Sequence, residues 1–248
     1  MERTETISTA SLIQPKIYCL DIETASNETS MDDRLISSLM AKVKPDGRMK
    51  DQDASLAIKQ ANELSKFGLS PMTGKIIAYG LKVLDNNTNY YNDELLPVIR
   101  NSFNVNPDEK TILRLMQEDF KDFSILDRIV TFNGRSFDIP YIQVRSMISN
   151  IHILPSWFQD RRYSTHPHID LRMILTNNDE TIKGTLDEWL MTFGIWLDEI
   201  IGPDGKKLTG ADIQDLLNEG NYDVIQAKNQ RDVIGLVELY NRIKGYYI

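Results

Sequence analysis

A single cysteine, Cys19, is present in the 248-residue chain, so no internal disulfide can form, and neither a Cys/His zinc pattern nor a disulfide framework can be drawn. A reducing compartment follows. Histidine is nearly as scarce. His152, His166 and His168 are the full set, and no third ligand accompanies the close pair at metal spacing, which leaves them surface or loop roles. No apolar run approaches the roughly 20 residues of a membrane span, and Met1-Glu2-Arg3-Thr4-Glu5 lacks the basic and apolar regions of a signal peptide. A soluble, cytoplasmic protein without membrane contact is expected. Basic residues are in deficit, 28 against 36 acidic, for a formal charge of −8. That argues against a passive nucleic-acid coat, which neutralises phosphates with spread Lys and Arg, but not against an enzyme that meets phosphate through metal ions. Low-complexity tracts are missing too, and 41% hydrophobic with 26% charged residues suits one large folded domain.

Residues 1 to 15 are polar, rich in Ser and Thr and aperiodic, as in a mobile arm, and residues 16 to 248 read as one domain. Ile17-Tyr18-Cys19-Leu20 is a buried-strand run that charge interrupts at Asp21-Ile22-Glu23-Thr24. Residues 26 to 70 form a polar, helix-prone excursion, with Leu56, Gln60, Leu64 and Phe67 near helical spacing and a turn at Pro45-Asp46-Gly47. Ile76 to Leu84 reads as a strand, Asp85-Asn86-Asn87 as a turn and Asn89-Tyr90-Tyr91 as the returning strand of a hairpin. Asn106 is the expected cap of the next helix, with Pro107 in its first position and Glu109 reaching back; Ile112, Met116 and Phe120 share one face. Ile129 to Phe132 is another strand, and Asp138-Ile139-Pro140 opens a further helix. Thr185-Leu186-Asp187-Glu188 is a capping box, Gly194 closes that helix, and Asn221 and Asp223 begin a long terminal helix carrying Val233, Leu236, Tyr240 and Ile243. This order predicts an α/β chain with a mixed sheet.

Four carboxylates stand where core patterns are interrupted: Asp21 and Glu23 at a strand end, Asp138 at a helix start and Asp232 inside the last helix. Residues two apart in a strand face the same side, so Asp21 and Glu23 can aim at one point. Gathering three or four carboxylates is tolerable only where cations bind, and hard oxygen ligands suit Mg²⁺ or Mn²⁺ rather than zinc. An Asp-x-Glu alone is more often a solvated strand end. Phe132-Asn133-Gly134-Arg135-Ser136-Phe137-Asp138 is more specific, although it also reads as a plain strand-turn-helix junction with Phe137 in the core and Asp138 as a cap.

Leu20-Asp21-Ile22-Glu23-Thr24 resembles the first motif, and Phe132 to Asp138 the second, of the DEDD-type 3′–5′ exonucleases on the ribonuclease-H-like fold. Asn229-Gln230-Arg231-Asp232-Val233 lies where the third motif of the tyrosine-type members, Tyr-x-x-x-Asp, has its Asp. The likeness is strongest to the exonuclease domain of family B DNA polymerases and its free-standing bacterial and phage relatives, and runs over about residues 16 to 245. It implies a ribonuclease-H-like mixed five-stranded sheet flanked by helices. It implies hydrolysis of 3′-terminal phosphodiesters, most naturally of single-stranded DNA, to nucleoside monophosphates with two Mg²⁺ or Mn²⁺ ions. In that scheme Asp21 touches both metals, Glu23 and Asp232 hold the ion carrying the attacking water, and Asp138 acts on the second ion. Asn133 and Phe137 shape the cleft, and Leu20 or Ile22 forms its wall. Arg161, Arg162 and Tyr163 are candidates for phosphate clamping and base stacking, and Lys206 and Lys207 for touching a strand. RNA as substrate and a catalytically weak nucleic-acid-binding or partner-docking module are the competing readings. A polymerase or recombination partner is left open.

One position departs from the resemblance. Four residues before Asp232 stands Lys228 in place of the tyrosine, and Ala227 occupies the position where a sister group has histidine. Positions i and i−4 share a helix face, so Lys228 points toward the cleft and is expected to approach Asp232, Asp21 or Glu23 when metal is absent. Tyr222, Tyr163 and His166 are the other candidates to orient water. Trp157, Trp189 and Trp196 are assigned to packing.

Overall fold

A computed structural model describes residues 15–85, 98–179 and 181–247. The arm expected at residues 1 to 15 therefore lies, but for its last residue, outside the described residues, as does the returning strand expected at 89 to 91. The central strand β1 (Lys16–Ser26) pairs antiparallel with β2 (Gly74–Asp85) and parallel with β4 (Arg128–Thr131). Beyond them β3 (Val98–Val105) pairs antiparallel with β2, and β5 (His168–Asp170) parallel with β4, giving the order β3-β2-β1-β4-β5. The sequence pattern of β3, Val98-Ile99-Arg100-Asn101-Ser102-Phe103-Asn104-Val105, is diluted by polar residues, as befits an edge strand.

Alternation along β1 divides the core. Tyr18, Leu20 and Ile22 pack toward α3 (Glu109–Phe120) and α4 (Asp138–Ser149), whereas Ile17 and Cys19 pack toward α8 (Tyr222–Tyr247) through Val233, Leu236 and Tyr240. Two short helices, α5 (Leu171–Leu175) and α6 (Leu186–Thr192), complete the α8 side, and α7 (Ile213–Glu219) packs on the end of β1. Helices α1 (Asp33–Met40) and α2 (Gln52–Leu64) form the excursion; α1 buries no residue and α2 only Ser55, so it lies on the surface.

Helix α3 starts two residues later than expected. Asp108, not Asn106, is the cap, accepting from Lys110 N–H and Thr111 N–H, while Asn106 Oδ1 accepts from Asp108 N–H. Glu109 reaches across the fold instead of back. Its carboxylate accepts Arg145 Nε–H at 2.9 Å, Arg145 Nη2–H at 2.5 Å and Ile76 N–H at 2.8 Å, which pins α3, α4 and the start of β2 together. Thr185 forms its capping box with Glu188, and Gly194 follows α6 at φ 71°.

Candidate active site

Asp21 and Glu23 continue the face of β1 on which Ile17 and Cys19 contact α8, so the apolar seam between sheet and helix ends in two carboxylates. From the other side, Val233, Leu236 and Tyr240 are buried along one stripe of α8, and Lys228, Asn229 and Asp232 extend that stripe toward the N-terminus of the helix. Close approach depends on Gly80, which faces Asp21 in the β1–β2 register. A Cβ there would lie 2.5 Å from Asn229 Oδ1 and 2.7 Å from Val233 Cγ2.

The result brings one carboxylate oxygen each of Asp21, Glu23 and Asp232 within 4.8 Å of one another. Lys228 Nζ is lodged among them, 2.6 Å from Glu23 Oε1 and 3.0 Å from Asp232 Oδ2. Arg231 Nη1 lies 3.4 Å from Asp232 Oδ1 and donates to Asp187 Oδ1 at 2.7 Å. Asp138 is buried at the first turn of α4 and is not a member of the close group; its Oδ1 accepts Ile22 N–H at 3.2 Å. A cleft of about 500 Å³ opens beside Asp232, lined among others by Asp187, Lys207, Thr209, Lys228 and Arg231.

Burial and mutual repulsion govern the ionisation here. Burial, then Glu23, Asp138 and Asp232, push the Asp21 carboxyl well above its usual range, with Lys228 opposing. Burial also raises Glu23 against the opposing pull of Lys228. Asp138 is pushed up to about 7, chiefly by burial, although the N–H of Ile22 favours its charged form. Burial alone would lower Lys228, but Glu23, Asp232 and Asp21 outweigh it and hold the ammonium charged. An oxygen-only donor set with an ammonium drawn into its midst fits a hard divalent cation, and Asp21, Glu23, Asp232 and Asp138 are the residues that would hold it.

Other expected residues fall differently. Leu20 and Ile22 do not wall the cleft: the alternation that aims Asp21 and Glu23 at α8 turns both into the opposite core, where they are 1% and 4% exposed. Phe137 is partly buried and packs on Tyr141 with ring centroids 5.3 Å apart. Asn133 takes φ 65°, and its Oδ1 accepts Arg172 Nη1–H at 2.7 Å. Arg161, Arg162 and Tyr163 are exposed in a loop, and Arg162 lines a second cleft of about 390 Å³ with Arg135, Asp160 and Gln143. Tyr222, Tyr163 and His166 do not line the cleft beside Asp232. Lys206 pairs with Asp204, and Lys207 with Asp187 and Glu199. Trp157 stacks on Phe123 and Trp189 packs in the core, but Trp196 is 75% exposed and packs little.

Two features escape sequence reasoning. Asn229 is buried, and its amide donates to Asp21 Oδ2 at 2.7 Å and to the Asp21 carbonyl at 3.3 Å, which fixes that carboxylate in the group. The signal was a polar residue at helical spacing in the apolar stripe of α8. The second is His168, expected at the surface yet fully buried in β5. Its Nε2 meets Thr131 Oγ1 at 2.8 Å and its Nδ1 lies 3.0 Å from Asp160 Oδ2, while Thr131 Oγ1 accepts Gly134 N–H. Gly134 is obligatory because a Cβ would collide with Thr131. Asp170 accepts the N–H groups of Asn133 and Arg135, and together these bonds fix the loop that delivers Asp138.

Comparison with known proteins agrees with this architecture. The chain belongs to the family described as predicted 3′–5′ exonucleases related to the exonuclease domain of PolB, whose model matches residues 75–246. The family B DNA polymerase of the archaeon Pyrobaculum calidifontis superposes over 94% of this chain and 26% of its own, with TM-score 0.53 and 16% identity, which establishes the ribonuclease-H-like α/β fold. E. coli exonuclease I in complex with a dA16 oligonucleotide aligns over 94% of this chain and 41% of its own at TM-score 0.42 and 11% identity. The chain thus spans about a quarter of the polymerase and two-fifths of the exonuclease. No curated protein matches it by sequence. Among the described residues no helix is long and apolar enough to cross a membrane.

Proposed function

We propose that this protein is a divalent-metal-dependent 3′–5′ exodeoxyribonuclease that removes nucleoside monophosphates from single-stranded DNA ends in the cytoplasm. The observation that carries the reading is the convergence of Asp21, Glu23 and Asp232 beside an open cleft, in a chain of an exonuclease family. The kinship of that family with a DNA polymerase domain supports DNA over RNA.

Divalent ions bound at Asp21, Glu23, Asp138 and Asp232 would lower the pKa of a water and neutralise charge developing on the phosphate. The chain's own groups do the rest. Asn229 keeps Asp21 in one orientation, and Ile22 N–H does the same for Asp138. Glu23 would orient the attacking water, whose proton passes to solvent as its oxygen bonds to phosphorus and the bond to the leaving 3′ oxygen breaks. Arg231, held by Asp187 and by the Asp198 carbonyl, and Lys207 line the cleft as cations for a strand phosphate. Arg161, Arg162 and Tyr163 belong to substrate affinity rather than turnover, as an exposed basic loop in which the Arg162 guanidinium lies over the Tyr163 ring at 5.7 Å.

The decisive assay uses single strands and duplexes of DNA and RNA labelled at the 5′ end, with Mg²⁺ or Mn²⁺ and then with EDTA. Stepwise shortening of single-stranded DNA that stops with EDTA is expected. Faster shortening of RNA would reassign the substrate, and intact ends in every lane would leave a binding module.

A further inference from the structure

The reading above, on which this inference rests, brings with it two divalent ions shared by four carboxylates. The contacts of those carboxylates are unequal. Lys228 Nζ contacts Glu23 Oε1 at 2.6 Å and Asp232 Oδ2 at 3.0 Å, with its side chain only 12% exposed. Those two acids are the pair to which the resemblance gives the ion carrying the attacking water. Because Lys228 and Asp232 stand one turn apart on α8, the lysine travels with its partner and no rigid shift of the helix separates them. The other Asp232 oxygen faces Arg231 at 3.4 Å, and Arg231 is itself anchored by Asp187 at 2.7 Å and the Asp198 carbonyl at 2.6 Å. Both oxygens of Asp232 therefore face cations of its own helix.

Asp21 and Asp138 receive only neutral donors: the Asn229 amide on Asp21 Oδ2, and Ile22 N–H on Asp138 Oδ1. The second oxygen of Asp21 and Glu23 Oε2 accept no hydrogen bond from the described residues, and Asp138 has besides Ile22 N–H only its own backbone N–H. Lys228 acts on Asp21 at longer range, but among the described residues no cation contacts Asp21 or Asp138 directly. An ammonium is a compact point charge, suited to standing in for a small metal ion among carboxylate oxygens.

We propose that Lys228 is a resident cation that takes the place of one of the two ions, so that the site binds a single divalent ion, held by Asp21 and by Glu23 Oε2, the oxygen that Lys228 does not contact. The missing tyrosine and the occupied Glu23–Asp232 position then have one cause.

Counting ions tests this directly. The full chain, free of nucleic acid, is titrated with Mn²⁺ while bound ion is measured calorimetrically and free ion by electron paramagnetic resonance. Wild type should bind one Mn²⁺ per chain; Lys228→Met, which keeps length and removes charge, should bind two; and Lys228→Arg should stay at one. Two ions on the wild-type chain, or a single ion on a folded Lys228→Met, overturns the proposal. The wild-type count decides even if Lys228→Met does not fold. Ion counts do not depend on cleavage. The expected counts without strand shortening would sink the nuclease reading alone, whereas cleavage by a wild type that holds two ions would sink the resident cation alone.

Discussion

On one side of the sheet Glu109 and Arg145 meet in a two-point ion pair; on the other, Asp21, Glu23 and Asp232 crowd round Lys228. Glu109 and Arg145 are buried, whereas in the second group only Glu23 is buried and Asp21, Asp232 and Lys228 are half-buried; both groups contain a cation within hydrogen-bond distance of a carboxylate. They differ in balance. Glu109 has its charge matched by one guanidinium and its remaining capacity taken by Ile76 N–H, so the pair is complete and serves to lock α3, α4 and β2. At the other site three carboxylates gather round Lys228, with Arg231 near Asp232 but itself paired to Asp187; burial first, then mutual repulsion, raises Asp21, and burial raises Glu23 against the pull of Lys228. A buried group left short of positive charge is tolerated where function supplies the rest, and that shortage distinguishes the candidate active site from a structural ion pair.

Substitutions on the two sides should therefore separate activity from stability. Asp21→Ala is expected to reduce 3′ cleavage by more than about a thousandfold, over 4 kcal/mol in activation free energy. The melting temperature of the metal-free chain should stay equal or rise, since repulsion is relieved. Undiminished cleavage in end-labelled assays would erase the distinction. Arg145→Ala should do the reverse: it leaves Glu109 as an uncompensated buried charge and costs about 3–5 kcal/mol by denaturant unfolding, while activity per folded molecule is kept. A loss under 1 kcal/mol, about the worth of an exposed pair, would show that the Glu109–Arg145 bridge does not lock the fold.

Asn229→Ala probes the link between scaffold and site. It should lower kcat by about 10- to 100-fold with KM little changed, as for other groups that orient a ligand from behind. A change confined to KM would assign Asn229 to substrate binding instead. The smallest effect is expected at Asp160. Burial alone would raise its pKa, but His168 and Arg135 outweigh burial and hold it below the usual carboxylate range. Its contribution is therefore present in full above the unfolded carboxylate pKa, about 4, and is lost as pH falls through the lower folded value. Thermal melts from pH 6 downward should show a shallower acid-side loss in Asp160→Asn than in wild type. Parallel curves would remove Asp160 from the acid-sensitive groups.

Local rules carried much of the reading. The alternation of β1 and the seven-residue run ending in Asp138 were visible because strand period and turn chemistry act over a few residues. The Thr185 capping box and the stripe on α8 were visible for the same reason, and the spacing of Lys228 and Asp232 alone placed both on one face of that helix. What the chain could not reveal is which distant side chains answer one another. Asn229 reaches Asp21 across 208 positions, Arg145 reaches Glu109 across 36, and His168 reaches Thr131 across 37; each pairing exists only because sheet order and helix packing bring those segments together. Leu20 and Ile22 show the same division from within a single strand. Their alternation with Asp21 and Glu23 is written in the sequence, but which face of β1 meets α8 was settled by how the helices cover the sheet, because burial is a property of the packed layers and not of the strand.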